Sequence, residues 1–351
     1  MYFSVKRGRL VFDNNFRLEL RMTAAANVTI LSSQFPDQVR RDLLDSLRSR
    51  RINHKFHYDS IKQTQKWLAL HAAFAPSRVD PDCAATYDAA FAAAARKISA
   101  PKVHLVGLGC GGGQKDARLL ASLREGTKTI SYTPSDVSVA MVLVARNAVI
   151  AALPGTDCYP LVCDLATEEE LPAALATQAA PGTTRLLTFF GMIPNFEPDV
   201  ILPKLASLLR PDDFLLFSAN LAPGTDYAAG VQHILPLYDN DLTRDWLLTF
   251  LTDLGVERED GVLRFGIEDS QMSLKRIVAD FQFTRSRHIA VGDEAIEFQS
   301  GDTVRLFFSY RHTPALVESL PRKHGIRVSE QWITKSGEEG VFLCQKTDPA
   351  A

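Results

Sequence analysis

The chain has 351 residues, of which 46% are hydrophobic and 23% are charged, and these proportions are typical of a globular protein with about two domains. Its 39 basic and 41 acidic side chains are interspersed and give a formal net charge of -2, which excludes the strong positive field that nucleic-acid or anionic-membrane binding requires. The composition therefore favours a small-molecule partner.

The first residues, MYFSVKRGRLVF, alternate polar and apolar side chains as a pair of strands would, and they do not resemble a signal peptide. No apolar run reaches the roughly 20 residues that cross a bilayer. The five cysteines follow neither a disulfide framework nor a zinc spacing, which predicts a reducing, cytoplasmic location. The eight histidines show no metal spacing, so we predict no metal site.

Residues 80 to 220 alternate short apolar runs with amphipathic helical runs, which predicts βαβ units and a parallel sheet. The predicted strands are Val103 to Gly107, Thr129 to Tyr132, Cys158 to Val162, Leu186 to Phe190 and Phe214 to Ser218. The predicted helices are Tyr87 to Lys97, Lys115 to Arg124, Asp136 to Ala151, Glu168 to Ala176 and Val200 to Leu209.

After residue 220 the pattern becomes a helix-rich piece, Tyr238 to Leu254, followed by strand-like runs near residues 261–265, 273–283 and 303–308. The last residues predict a hairpin, 327–334 with 341–345, that completes the first sheet with antiparallel strands. We therefore predict a core domain of residues 76–220 and 310–351, and a substrate-binding, capping domain of residues 1–75 and 221–309.

A glycine-rich turn follows the first strand of the core and reads His104-Leu-Val-Gly-Leu-Gly-Cys-Gly-Gly-Gly-Gln-Lys115. Glycines at such a turn let the backbone pass close to a ligand. Gly109 and Gly111 do not complete a Gly-x-Gly-x-x-Gly dinucleotide motif, although a start at Gly107 restores it nominally. The turn resembles instead the Gly-x-Gly-x-x-x-Lys form of some methyltransferases.

Acidic residues follow the next two strands, Asp136 after the second and Asp164 after the third. A carboxylate after the second strand accepts hydrogen bonds from ribose hydroxyls, and one after the third accepts from an adenine amine. Alternatively, each aspartate caps the helix that follows it. Lys115 is either a surface lysine or the partner of an anion, for which the methionine carboxylate of S-adenosylmethionine (SAM) is a candidate.

The fourth strand ends in Phe189-Phe-Gly-Met-Ile-Pro-Asn195, which places an asparagine at the carboxyl edge of the sheet. Its amide can hold an amino or carboxylate group without acquiring charge. The alternative is that Asn195 caps the helix that begins near Pro198.

In these motifs the chain resembles the histidine Nα-methyltransferases of ergothioneine biosynthesis, over nearly its whole length. The matching segments are Phe56-His-Tyr58-Asp59, Phe74-Ala-Pro76-Ser-Arg78, Gly109 to Lys115, Pro134-Ser-Asp136-Val137, Cys163-Asp164-Leu165, Gly191 to Asn195 and Tyr238-Asp239. The resemblance implies a class I, Rossmann-like SAM methyltransferase core with an inserted, discontinuous α+β substrate-binding domain. It further implies SAM as cofactor, S-adenosylhomocysteine (SAH) as product and no metal.

The resemblance also implies roles for individual residues. The residues that hold the cofactor would be Gly109, Cys110, Gly111, Lys115, Asp136, Asp164 and Leu165, with Gly191 nearby. Asn195 and Tyr238 would bind the main-chain groups of the acceptor, and Tyr58 and Phe74 would line its pocket. We assign the catalytic part to Asn195 and Tyr58, with Tyr58 assisting proton removal; a packed core tyrosine is the alternative for Tyr58.

The sequence departs from the family at positions that set specificity. Where the family carries a glutamate and a serine against the imidazole, this chain has Phe307 and Ser309, so an imidazole N–H would lose its charged acceptor. A small shift in the alignment is the alternative explanation of Phe307. The acidic residue usual before the first glycine of the turn is replaced by Gly107, and the turn after the fourth strand is one residue shorter.

The sequence thus predicts a monomeric SAM-dependent methyltransferase that acts on the amino group of an amino acid or a related small amine other than histidine. Two other functions stay open at this point. One is methylation of an oxygen or carbon of a natural-product precursor, and the other is a module that binds SAM without catalysis.

Overall fold

The computed structural model describes residues 5–6, 9–10, 25–125 and 128–347. Within the N-terminal segment, the backbone of Val5–Lys6 pairs antiparallel with Arg9–Leu10, as the alternation predicts. The rest of the predicted N-terminal strand pair lies outside the described residues.

In chain order, the strands are β1 (Val5–Lys6), β2 (Arg9–Leu10), β3 (Thr29–Ile30), β4 (Lys102–Leu108), β5 (Thr129–Asp136), β6 (Asp157–Cys158), β7 (Leu161–Val162), β8 (Thr184–Phe189), β9 (Phe214–Asn220), β10 (Gly261–Asp269), β11 (Lys275–Phe283), β12 (Arg287–Val291), β13 (Glu294–Phe298), β14 (Thr303–Arg311), β15 (Ile326–Ile333) and β16 (Glu339–Lys346). The helices are α1 (Pro36–Ser49), α2 (Ile61–Phe74), α3 (Pro76–Val79), α4 (Pro81–Lys97), α5 (Gln114–Glu125), α6 (Val139–Ala152), α7 (Leu171–Gln178), α8 (Pro198–Leu208), α9 (Tyr227–Tyr238), α10 (Asp241–Asp253) and α11 (Pro314–Arg322).

The central sheet has the order β15-β16-β9-β8-β4-β5-β7-β3, and β6 pairs with β5. Strands β3 to β9 of this sheet run parallel, whereas β16 is antiparallel to β9 and β15 is antiparallel to β16. Both faces of the sheet are covered, so β4 buries every residue after Lys102 and is mostly apolar. The terminal hairpin therefore completes the sheet, as the sequence predicts.

Each face of the central sheet has its own core. One face packs Leu108, Phe189 and Leu202 with the C-terminal helix α11, and the other packs Phe91, Leu120 and other residues of α4 and α5. The alanine-rich helix α4 lies close to the sheet because Ala90 and Ala94 present almost no bulk. These contacts hold the carboxyl ends of the parallel strands in a fixed position.

A second unit covers the carboxyl ends of those strands. It contains the three-stranded sheet β10-β11-β14, the hairpin β12-β13, and helices α1, α2 and α10, which share a core that includes Leu47, Trp246 and Phe281. Strand β3 pairs with β7 of the central sheet, so residues 29–30 lie with the core although the predicted division places them in the cap. We keep the division into a core and a cap as a proposal.

Several predicted boundaries are wrong. The strand predicted over Cys158 to Val162 is two short strands, because Pro160 between them has no N–H to donate to a ladder. The predicted helical piece Tyr238 to Leu254 contains a break, since Asn240 caps α10 through its side chain and Tyr238 is the last residue of α9. Helix α6 begins at Val139, three residues later than predicted.

No helix in the described ranges is long and apolar enough to span a membrane. Within the same residues, no group of three or more histidine, cysteine, aspartate or glutamate side chains is placed to hold a metal ion.

Candidate active site

A cavity of about 370 Å³ lies at the carboxyl ends of β4 and β8, between the central sheet and the cap. Strand order reverses at this point, because β5 and β7 continue on one side of β4 and β8 and β9 on the other. Open α/β sheets bind ligands at such a switch point. The cavity is lined by Tyr58, Phe74, Gly109, Cys110, Gly111, Lys115, Asp136, Asp164, Leu165, Gly191, Asn195, Tyr238, Phe307 and Ser309. The structure thus brings every sequence-predicted site residue together, and the role of each remains a prediction.

The glycine turn needs its glycines for two reasons. Gly109, Gly111 and Gly113 have φ values of 64°, 50° and 73°, a region that other residues rarely adopt. A Cβ on Gly113 would lie 2.6 Å from the Cα of Ala145, and one on Gly111 would lie 2.8 Å from the Trp67 ring. The turn is therefore packed between helix α6 and the cap, with Cys110 held by its N–H to Ser135 O at 3.0 Å.

Asp136 is the last residue of β5, and its side chain is hydrogen-bonded to the glycine turn. Its carboxylate accepts from Gly111 N at 3.3 Å and from Ser138 N at 3.2 Å. The helix that follows is capped by Ser138, so the alternative of Asp136 as its cap is wrong. Burial raises the pKa of Asp136 to about 6, against the backbone hydrogen bonds that lower it. The carboxylate remains free to accept further donors from the cavity.

Asp164 follows β7 and presents one unsatisfied oxygen. Its Oδ1 accepts from Ala166 N at 3.0 Å, whereas Oδ2 is buried and has no hydrogen-bond donor among the described residues. Lys55 Nζ, from the cap, lies 3.8 Å from that oxygen. Helix α7 begins only at Leu171, so Asp164 does not cap it. A buried acceptor of this kind is suited to an amine donor from a ligand.

Lys115 is not a surface lysine. Its Nζ donates to Tyr87 OH at 2.8 Å and lies 4.0 Å from the Glu339 carboxylate, which Tyr87 also contacts. Glu339 belongs to the C-terminal hairpin, so the anion required near Lys115 is present inside the protein. A cofactor carboxylate is therefore not needed to explain this cation.

Asn195 ends a short 3₁₀ turn after β8 and faces the cap. Its Nδ2 donates to Phe308 O at 2.9 Å, which fixes the amide on strand β14 and leaves Oδ1 with no donor among the described residues. The residue that caps α8 is Glu197, so the alternative of Asn195 as that cap is wrong. Gly191, on the same loop, has φ 70° and donates its N–H to Ser218 Oγ at 2.8 Å.

Tyr58 both packs and lines the cavity. Its ring contacts Trp246, with ring centres 5.5 Å apart, and Trp67, with centres 6.1 Å apart. Burial, with a smaller contribution from the Asp136 charge, raises the pKa of Tyr58 well above its usual range. The phenol therefore stays protonated at neutral pH, and this opposes the predicted assistance in removing a proton from the acceptor.

Tyr238 and Ser309 form a polar edge of the cavity. Tyr238 OH donates to Ser309 Oγ at 2.9 Å and accepts from Arg311 Nη2 at 2.7 Å. Arg311 is 7% exposed and donates to Leu221 O as well as to Tyr238 OH, and within residues 25–125 and 128–347 it forms no ion pair with a carboxylate. The buried Arg311 guanidinium, without a counterion among these residues, is thus hydrogen-bonded to Tyr238, which lines the cavity.

Phe307 and Ser309 point to the cavity because they alternate with Leu306 and Phe308 along β14. The neighbours of Phe307 are rings: Trp246 at 5.9 Å, Tyr238 at 6.0 Å and His54 at 5.2 Å between centres. The strand reads TVRLFFSYR and contains no acidic residue, so no small shift in the alignment restores the family's glutamate.

Sequence reasoning missed several lining residues, chiefly Trp67, Trp246 and Asp116. The two tryptophans reach the cavity through the packing of α2 and α10, which no local motif encodes. Phe74 is 51% exposed and forms part of the cavity mouth rather than its interior.

A family model described as "Histidine-specific methyltransferase, SAM-dependent" matches residues 39–346. The chain belongs to this family. It is accordingly a member of a SAM-dependent methyltransferase family, and the predicted fold class is confirmed by this membership together with the sheet order. The predicted family resemblance is confirmed as well.

One relative is the N-methyltransferase fsqC of Aspergillus fumigatus, 24% identical over 241 residues. The match covers 67% of this chain and 64% of fsqC, so it spans less than two thirds of that relative's length.

Among solved structures, the magnesium protoporphyrin IX methyltransferase of Synechocystis PCC 6803 with bound SAH has 13% identity and a TM-score of 0.44, covering 84% of this chain and 98% of that one. The 1,6-didemethyltoxoflavin-N1-methyltransferase of Burkholderia thailandensis has 15% identity and a TM-score of 0.35, covering 81% and 91%.

Proposed function

We propose that this protein transfers the methyl group of SAM to the amino group of an amino acid, or a related small amine, other than histidine. The observation that carries the proposal is the division of the cavity. Its carboxylates, within the described residues, are Asp116, Asp136 and Asp164, and all three lie on the side of the glycine turn and strand ends. The side of the cavity that the cap forms is lined by aromatic rings and by side-chain amides.

The carboxylate side fits SAM. Asp136 can accept from ribose hydroxyls, the free Oδ2 of Asp164 can accept from the adenine amine, and the glycine turn leaves room that a Cβ would fill. SAM bound there supplies an electrophilic methyl carried on a sulfonium. The chain's own groups bind the adenosine and hold the donor beside Asn195.

The cap side supports an amino acceptor. The Asn195 Oδ1 can accept from an amine N–H and so direct the nitrogen lone pair, while Tyr58 stays protonated and orients by hydrogen bonding. Transfer from a sulfonium is an in-line displacement, so alignment and exclusion of water are what the protein contributes. The acceptor proton leaves to solvent.

The cap side also disfavours histidine. An imidazole N–H placed at Phe307 would face the rings of Trp246 and Tyr238 instead of a carboxylate. A buried donor left unpaired costs roughly 1–3 kcal/mol. An apolar or aromatic acceptor side chain at the same position has no N–H donor to leave unpaired and therefore avoids this free-energy cost.

Arg311 favours an acceptor that carries a carboxylate. Its uncompensated charge reaches the cavity through Tyr238 OH, and a buried guanidinium gains most from an anion. An amino acid supplies that anion next to its amino group, whereas the corresponding decarboxylated amine does not.

An acceptor screen tests the proposed function. Purified protein is incubated with SAM and a panel of amino acids and their decarboxylated amines, SAH is measured, and the product is identified by mass spectrometry. We expect SAH formation with an apolar or aromatic amino acid, methylation at the amino nitrogen, and kcat/KM for histidine at least about tenfold lower. Methylation of oxygen or carbon alone, or no acceptor-dependent turnover, would contradict the proposal.

Phe307→Glu should shift the preference towards histidine. The substitution restores a charged acceptor for an imidazole N–H, so kcat/KM for histidine is expected to rise about tenfold while that for the apolar acceptor falls. Phe307→Leu is the matched control, because it removes the ring without adding charge and should leave histidine a poor substrate. Equal histidine turnover in both variants would remove Phe307 from the acceptor pocket.

A further inference from the structure

Gly107 and Asp116 compete for one space beneath the glycine turn. Gly107 lies in β4 and its φ is not positive, so its backbone would tolerate a side chain. A Cβ built on Gly107, however, would overlap Asp116 Oδ2 and lie 3.2 Å from Tyr132 OH. The position that a side chain at residue 107 would occupy is thus filled by the Asp116 carboxylate.

That carboxylate is fixed by two hydroxyl groups. Asp116 Oδ2 accepts from Tyr132 OH at 2.7 Å and Oδ1 accepts from Thr188 Oγ1 at 2.8 Å. Tyr132 belongs to β5 and Thr188 to β8, so the carboxylate is anchored on both sides of β4 at the switch point. Asp116 is 2% exposed and lines the cavity.

Among the described residues, no side chain forms an ion pair with Asp116, although the neighbouring charge of Lys115 lowers its pKa without contacting it. The adjacent Lys115 directs its ammonium to Tyr87 and Glu339. Across the described ranges, no Lys, Arg or His nitrogen lies within ion-pairing distance of Asp116, and burial raises its pKa to about 6. A buried carboxylate without a cation is unfavourable, so a cationic ligand group in the cavity would be bound there.

We infer that Asp116 binds the α-ammonium group of the methionine part of the donor, in the space where the family resemblance expects an acidic side chain from residue 107. In this chain the carboxylate comes from helix α5 instead of strand β4, and Gly107, which has no side chain, leaves the space that it occupies. The inference concerns donor binding alone, so its test does not depend on which acceptor the enzyme uses.

Asp116→Asn tests the inference by calorimetry with two ligands. SAH carries the α-ammonium, and 5′-methylthioadenosine is the same nucleoside without the amino-acid part. We expect Asp116→Asn to weaken SAH binding about 20-fold and to leave 5′-methylthioadenosine within about twofold. Asp199→Asn is the control, since Asp199 is an exposed acid in the first turn of α8 and outside this cavity.

A charge swap provides a second readout. Gly107→Asp alone should weaken SAH binding because its side chain overlaps Asp116, whereas Gly107→Asp combined with Asp116→Ala should recover about tenfold of the affinity that Asp116→Ala loses. An equal loss for both ligands in Asp116→Asn would mean that Asp116 only supports the turn, and no loss would mean that it does not meet the donor. Either result overturns the inference, even if the double variant fails to fold.

Discussion

Replacing Asn195 with alanine is expected to lower kcat/KM for the methyl acceptor by about 100-fold and to leave the Kd for SAM within about twofold. The amide lines the cavity, and its Nδ2 bond to Phe308 O at 2.9 Å leaves Oδ1 as the acceptor that we propose for the substrate amine. Alanine removes both the oriented acceptor and that tie to β14. Steady-state kinetics measure the change in kcat/KM for the acceptor, and calorimetry on the same preparation measures the Kd for SAM.

Asn147→Ala is a suitable control for this variant, because Asn147 is an exposed amide on helix α6 and its loss should change neither quantity. Unchanged turnover in Asn195→Ala would remove Asn195 from the acceptor site. An equal loss of SAM affinity would indicate that the residue supports the fold of the loop instead of the acceptor.

Asp136→Ala is expected to weaken SAM binding by about 100-fold, since it deletes the charged acceptor proposed for the ribose hydroxyls and the bond to Gly111 N. Asp136→Asn keeps the shape and should lose about tenfold. Because burial raises the pKa of both Asp136 and Asp116 to about 6, wild-type affinity should be constant above neutral pH and should fall as the pH drops below 6 and these two carboxyls become protonated.

Calorimetric titration with SAH over this pH range measures both effects. Asp157→Ala is the matched control, because Asp157 is an exposed aspartate on the neighbouring strand β6. An affinity for Asp136→Ala equal to that of the wild type would contradict the ribose assignment.

The core could be predicted from the sequence because its signals are local. Buried parallel strands such as β4 are largely apolar, and a glycine, aspartate or asparagine (Gly109, Asp136, Asp164, Gly191, Asn220) stands at or just after the end of β4, β5, β7, β8 and β9. Since the carboxyl ends of parallel strands meet at one edge, residues as distant as Gly109 and Asn195 could be assigned to one site without knowledge of their distances.

The parts that escaped prediction depend on contacts between distant segments. Asp116 reads as an ordinary first-turn acid of α5, and only its position against Gly107 and Thr188 reveals a buried carboxylate. Asp136 and Asp164 looked like helix caps as well as ligands, and the side chain of Ser138 and the late start of α7 decided against capping. The role of each of these aspartates therefore depends on residues that are distant in the sequence and close in the fold.

The hairpin β12-β13 was missed although its sequence carries a signal. Val291-Gly-Asp-Glu294 is a two-residue turn with Gly292 at φ 64°, flanked by alternating residues, which is a recognised hairpin pattern. Its strands are only five residues each, so the apolar alternation extends over too few residues to identify them. The break at Asn240 was missed for a similar reason, because the apolar pattern continues across it.

A crystal structure of the protein with SAH would test the central claim most directly. We expect the nucleoside in the cavity at the glycine turn, its ribose hydroxyls on Asp136, its adenine amine near Asp164 Oδ2 and its sulfur directed towards Asn195. Crystals that contain SAH at another place, or that leave this cavity empty at saturating SAH, would contradict the account.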